Sequence, residues 1–406
     1  VDASLRVRGR AVQLSEGEGR WENALPLPGQ WVTHLSKSRD NPPGRPFSLE
    51  FAFFGRQHAG MLNRIALSLA LVFSSVPAHA QDGAATTPGA AERLTAVFDR
   101  AAQLPSLKSV VVSRDGQIIA DRGYGGHTSR EPTNIKSASK SVMSALVGIA
   151  IAKGELEGVD QKIAPILSRD LPDDPDPRLA QVTVGNLLSM QAGLERTSGP
   201  NYGRWVSSRN WVRSALSAPF EAEPGGPMLY STGSTHLLSA ILTRASGQST
   251  LALARSWFEP LKDFSITAWD RDPQGIYLGG NQMAMSTRSL LAFGELYRNG
   301  GKTPEGVQIV PADWIAQSWQ HRTNSRFTGD SYGYGWFLRT MAGRDVRYAW
   351  GYGGQMLYIV PSLGLTVAMT SQEDAPSART GYRDSLHQLM TDIILASETG
   401  TADRPG

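Results

Sequence analysis

Apolar residues run almost without interruption over positions 142–152, and a stretch with no polar face predicts a helix buried on all sides. Elsewhere the helical pattern is one-sided. Leu94, Val97 and Phe98 mark a helix over 91–103, and Leu386, Leu389, Met390, Ile393 and Ile394 form one stripe of a helix over 382–396. Leu290, Leu291, Phe293, Leu296 and Tyr297 mark another, stopped by Asn299-Gly300-Gly301. Residues 184–190 and 235–245 read as further helices. Short β-branched or aromatic runs at 109–113 and 117–120 flank Asp115-Gly116, a strong hairpin signal. Similar runs return at 332–338, 345–348, 355–360 and 364–370, separated by Gly or Pro. Strands at both ends of this region with helices between them predict an α+β fold. In it an antiparallel sheet, built from about 91–130 and 280–398 and flanked by helices, carries an inserted, mainly helical part at about 137–279.

A different pattern precedes this region. Met61, Asn63 and Arg64 lead into an apolar stretch over 65–76 and then Ala78-His79-Ala80, the three parts of a secretory signal peptide. The stretch is too short to span a bilayer comfortably, so no stable membrane anchor is expected. The reading is a signal peptide at 61–80, a mature domain over 81–406, and a periplasmic or secreted protein. Residues 1–60 contain no methionine and no sustained periodicity, and are expected to be a non-native upstream extension. The chain has 40 Lys+Arg and 37 Asp+Glu, of which 9 and 6 lie in residues 1–80. The remainder is balanced in charge and has no basic run, which gives no electrostatic case for nucleic acid. The absence of cysteine excludes disulfides, thiol catalysis and a lipoprotein anchor.

The buried helix opens on Ser137-Ala138-Ser139-Lys140. At helical spacing Ser137 and Lys140 lie one turn apart on one face. A lysine at the head of a buried helix is costly, and desolvation lowers its pKa, so its amine can take the proton of the neighbouring serine. That makes Ser137 a candidate nucleophile with its own base. No Gly-x-Ser-x-Gly elbow occurs, which argues against a Ser/His/Asp triad on an α/β-hydrolase fold. His127, His236, His321 and His387 have no metal-ligand spacing.

Five segments in order carry a resemblance. They are Ile135-Lys136-Ser137-Ala138-Ser139-Lys140-Ser141, Asn186-Leu187-Leu188-Ser189-Met190-Gln191-Ala192-Gly193-Leu194, Leu229-Tyr230-Ser231-Thr232-Gly233, Gly280-Asn281-Gln282-Met283-Ala284-Met285-Ser286-Thr287 and Trp350-Gly351-Tyr352-Gly353-Gly354-Gln355. With them the chain resembles the serine β-lactamase and penicillin-binding superfamily. It is most similar to the class C-like hydrolases that include 6-aminohexanoate-dimer hydrolases and related esterases.

The resemblance implies that Ser137 is the nucleophile, Lys140 its base and Tyr230 the proton relay of a Tyr-x-Asn element in which Thr232 replaces the asparagine. It implies an oxyanion hole from the backbone N–H groups of Ser137 and Gln355, and substrate contacts from Tyr352, Gly353, Gly354, Thr232 and Tyr202. Trp205 and Trp211 share the loop of Tyr202. Tyr297-Arg298-Asn299, the only literal Tyr-x-Asn, reads instead as a helix end. The expected activity is hydrolysis of small esters or amides through an acyl-enzyme, without metal or cofactor. The alternatives are a β-lactamase or D-alanyl-D-alanine peptidase, and an inactive penicillin-recognition fold that binds cell wall or a partner. Tyr352 stands where lactam-processing relatives have Lys or His, which favours uncharged substrates.

Overall fold

Gln355–Val360 is buried at every position, as a strand covered on both faces must be. It lies inside an eight-stranded antiparallel sheet. In chain order the strands are β1 (Leu107–Arg114), β2 (Gln117–Gly123), β3 (Thr323–Asn324), β4 (Ser331–Tyr332), β5 (Phe337–Met341), β6 (Arg344–Gly351), β7 (Gln355–Val360) and β8 (Leu365–Ser371). Their spatial order is β2-β1-β8-β7-β6-β5-β4-β3, so the two ends of the domain meet where β1 pairs with β8.

The side-chain alternation of these strands supplies two cores. Val110, Val112, Met356, Tyr358, Val367 and Met369 face helices α1 (Pro88–Ala101) and α5 (Tyr382–Ser397). Val111, Leu357, Ile359 and Ala368 face the core shared with α2 (Ser139–Ala152), α3 (Thr232–Ser246) and α4 (Thr287–Arg298). The region between β2 and α4 is mainly helical. A small antiparallel sheet of Pro132–Asn134, Met283–Ser286 and Ala268–Trp269 ties its two ends together. This is the expected α+β architecture, an antiparallel sheet flanked by helices.

The computed structural model describes residues 4–7, 10–13 and 88–398. Ser4–Val7 pairs antiparallel with Arg10–Gln13 as a separate small unit. The expected signal peptide at 61–80, the start at Gln81 and the rest of the upstream extension lie outside the described residues.

One predicted strand is two. The run over 332–338 breaks between β4 and β5, where Gly333 N–H donates to Trp336 O and Gly335 adopts φ +79°. A Cβ at Gly335 would lie 2.9 Å from Lys140 O, and Ser141 Oγ donates to Gly335 O at 2.6 Å. The turn therefore exists to seat the head of α2, which a period-2 pattern cannot reveal. Helix α2 is buried from Ser139 to Ala150, as its uniform apolarity predicts.

Candidate active site

Ser137 sits in a 3-10 turn, Lys136–Ala138, rather than in the α-helix itself, which starts two residues later. Lys136 before it has φ +51°, a left-handed conformation that costs a non-glycine residue on the order of 1 kcal/mol. Neighbouring side chains hold it. Lys136 N–H donates to Asn134 Oδ1 at 2.9 Å, and Ser139 Oγ donates to Lys136 O at 2.7 Å. The turn packs on β6 and β7, so closely that a Cβ at Gly351 would lie 2.1 Å from Ile135 O.

Lys140 is 1% exposed. Its Nζ lies 3.0 Å from Ser137 Oγ, 2.7 Å from Gly280 O and 3.3 Å from Thr232 Oγ1. It has no carboxylate partner among the described residues, and burial pulls its pKa from 10.5 down to about 7. Gly280 can present its carbonyl because it has φ +81° and no side chain; a Cβ there would lie 2.8 Å from Lys140 Cγ.

Tyr230 immediately precedes Ser231, the N-cap of α3. Its ring centroid is 5.1 Å from Lys140 Nζ, and it packs against Phe337 and Tyr332 of β5 and β4. Burial pushes its phenol above the ordinary tyrosine range, and a hydrogen bond with Ser137 works the other way. Ser137, Lys140 and Tyr230 therefore meet at one point. Tyr297 does not join them. It is fully buried at the end of α4 between Phe293 and Trp336, as a helix-end core residue.

Gln355 opens β7 with its side chain turned inward, where Oε1 accepts from Ser371 N–H and Nε2 donates to Ser371 O, both at 3.0 Å. Its side chain is thus engaged within the sheet. Gly353 and Gly354 have φ +85° and +100°. A Cβ on Gly354 would lie 2.7 Å from Tyr382 Cε1, and one on Gly353 would lie 2.4 Å from Gln372 O. Both glycines are thus required by the fold itself, independently of a substrate's approach. Tyr352 at the tip of this hairpin is 48% exposed.

Thr232, expected to contact substrate, is buried, with its hydroxyl against Lys140 Nζ and Ser198 Oγ. Trp205 is buried and Trp211 partly buried, both packing edgewise on His236, whose Nε2 lies 3.0 Å from Asp272 Oδ2. Of that loop's three aromatics, Tyr202 bonds a residue of the segment Gly280-Asn281-Gln282: its hydroxyl accepts from Asn281 Nδ2 at 2.9 Å, next to Gly280. Burial raises its pKa, and the Asn281 bond offsets part of that rise.

Gly280, Asn281 and Ser198 were not singled out as site residues by the sequence. The first two lie inside a quoted motif, whereas Ser198 offers no local signal, being one serine in a polar loop. Among the described residues no group of three or more His, Asp or Glu side chains is placed to hold a metal ion.

The family model described as Beta-lactamase matches residues 86–389. Two fimbrial assembly proteins of Dichelobacter nodosus, named FimD of serogroups H1 and D, are each 30% identical over 135 and 134 residues. Those matches cover 32% of this chain and 33% of each relative, so the chain spans about a third of the length of the curated relatives it matches. Among solved structures, a protein named a 6-aminohexanoate-dimer hydrolase from Bacillus anthracis superposes with TM-score 0.60 at 20% identity, over 74% of this chain and 80% of that one. EstCE1, described as a hydrolase with promiscuous acyltransferase activity, gives 0.61 at 18% identity, over 76% and 98%. A penicillin-binding protein homologue from Pyrococcus abyssi gives 0.58 at 18%, over 77% and 79%. At these identities the likeness is one of fold.

Proposed function

Since the chain belongs to the beta-lactamase family, a family of serine hydrolases, we propose that it cleaves small esters or amides through an acyl-enzyme on Ser137. One observation carries this reading: a fully buried lysine with its pKa drawn to about 7 lies 3.0 Å from the serine hydroxyl. At neutral pH a substantial fraction of Lys140 is the free amine, which is what a general base requires.

In the proposed reaction Ser137 Oγ bonds the substrate carbonyl carbon while its proton passes to Lys140 Nζ. The carbonyl oxygen takes the negative charge, stabilised by the N–H groups of Ser137 and Gln355. The carbon–leaving group bond then breaks, and the leaving alkoxide or amine receives a proton through Tyr230. Its phenol keeps its proton under any physiological condition, so it relays protons and does not serve as a standing base. Water then attacks the ester, gives a proton back to Ser137 by the reverse route, and releases the acid.

Tyr202 and Asn281 are proposed to meet the substrate beside Gly280, and Tyr352 to cover it from the exposed hairpin. A neutral phenol in that place favours substrates without a carboxylate there, because burying an unpaired carboxylate costs roughly 2 kcal/mol or more. We also propose, on the signal-peptide pattern at 61–80, that the protein is exported and begins at Gln81.

The test is labelling with a fluorophosphonate, followed by peptide mass spectrometry, beside turnover of p-nitrophenyl butyrate, short linear amides and nitrocefin. The adduct is expected on the peptide containing Ser137, and Ser137→Ala is expected to be inert. An adduct elsewhere with an active Ser137→Ala overturns the assignment. Faster turnover of nitrocefin than of the ester and amides overturns the substrate class alone.

A further inference from the structure

A neutral lysine amine has two N–H bonds and one lone pair, and Lys140 has three neighbours to share among them. Gly280 O can only accept, so it takes one N–H. The other N–H and the lone pair are divided between Ser137 Oγ at 3.0 Å and Thr232 Oγ1 at 3.3 Å. Only one division is productive. If the lone pair faces Thr232, Lys140 donates to Ser137 and cannot take its proton.

The hydroxyl hydrogen of Thr232 decides between the two, and Ser198 decides where that hydrogen goes. Thr232 is buried, and among the described residues the only other acceptor bonded to its hydroxyl is Ser198 Oγ at 3.0 Å. Ser198 is itself fixed by accepting the backbone N–H of Thr232 at 2.8 Å, in the first turn of α3. It is partly exposed, so its own hydrogen has solvent to bond. Among the described residues the Thr232 hydrogen has only Ser198 or the amine. We propose that Ser198 is a positioning residue: it draws the Thr232 hydrogen to itself, makes Thr232 an acceptor for Lys140, and so turns the lysine's lone pair toward Ser137.

This rests on the assignment of Ser137 and Lys140 as nucleophile and base. Ser198 touches neither of them, and acts across a path of hydrogen bonds that joins residues 34 and 92 positions apart. Without its hydroxyl, the Thr232 hydrogen has the Lys140 lone pair as its remaining acceptor and competes with Ser137 for it.

The experiment is a double-mutant cycle of Ser198→Ala and Thr232→Val, with Ser198→Thr as the conservative variant, read by steady-state ester kinetics, fluorophosphonate labelling rate and thermal melting. Ser198→Ala is expected to lower kcat and the labelling rate roughly 10- to 100-fold with little change in KM. The acid limb of its pH profile should stay in place while the plateau falls, and Ser198→Thr should restore most of the rate. In the Thr232→Val background, which has no hydroxyl to misdirect, Ser198→Ala should change the rate less than about 2-fold.

The structural loss, an unmatched N–H at the start of α3, is the same in both backgrounds and so cannot imitate this pattern. Equal losses in both backgrounds, or an unchanged rate in Ser198→Ala, overturn the proposal. If wild-type enzyme fails to label at Ser137 at all, the failure belongs to the assignment of the nucleophile and not to Ser198.

Discussion

Two buried bases lie on opposite faces of the central sheet, and only one of them is placed to react. On the α2 face, burial draws Lys140 to about 7, and the group it meets at 3.0 Å is a partly exposed serine hydroxyl. On the α5 face, His387 is drawn from 6.5 to about 3 by burial and by the charges of Arg339 and Arg383. Its Nδ1 lies 3.0 Å from the Tyr358 hydroxyl, inside the core. Both shifts have the same leading cause, but His387 stays neutral at every physiological pH and its Nδ1 meets a buried tyrosine hydroxyl. A displaced pKa marks burial. A pKa displaced into the working range beside an accessible nucleophile marks a site.

The widest separation between the two regions should come from activity. Ser137→Ala is expected to lose turnover entirely, and Lys140→Ala roughly 10³-fold or more, since both are proposed to act as one proton-transfer unit. His387→Gln, which can keep a bond to Tyr358, should retain the wild-type kcat. A His387→Gln enzyme as impaired as Lys140→Ala, at equal folded fraction, would erase the distinction. Tyr230→Phe should fall between, at roughly 10²-fold down, measured with the same ester.

Next comes the pH profile of kcat/KM. It should rise through about pH 7 as Lys140 loses its proton, and His387→Gln should leave that limb where it is. A limb absent between pH 5.5 and 8.5 would remove Lys140 as the base.

Stability should separate the pair by window. From about pH 7 up to 10.5 the unfolded chain holds a proton on Lys140 that the folded chain lacks, so the wild type gains stability as pH rises there. Lys140→Met should therefore be more stable than wild type at pH 6, by up to about 5 kcal/mol, with the advantage fading toward pH 10. For His387 the same sign applies between about 3 and 6.5: the wild type loses stability as pH falls through that range, by a few kcal/mol at most, and His387→Gln should flatten the loss. Urea titrations at four pH values decide both. The smallest effect should be at the rim, where Tyr352→Lys is expected to raise nitrocefin turnover a few-fold while leaving stability unchanged.

What could be read from the sequence follows the reach of each interaction. The boundaries of β7 match its apolar run, and α5 shows its stripe, because both are dictated by local periodicity. Helix α3 begins three residues before its apolar pattern does, because the backbone N–H groups of Thr232 and Gly233 are held by Ser198 and Thr197 in a distant loop. The strands of the small sheet are two to four residues long, too short to show a period. At the site, Ser137 and Lys140 are three positions apart and can be read as a pair. The acceptor Gly280 lies 140 positions from Lys140, and the sequence alone does not join them.

The pairing of β1 with β8 also sets an order of events in time. Ser109 stands opposite Thr370, and the Ser109 and Thr370 hydroxyls are 3.0 Å apart, 261 residues distant along the chain. A ribosome must therefore finish nearly the whole domain before the sheet can close, and until then the apolar faces of β1 have no strand beside them except β2. Closing so long a loop makes folding slow compared with that of a locally connected protein of the same size. The incomplete chain is correspondingly the form most exposed to aggregation, and the one on which holdase chaperones have longest to act.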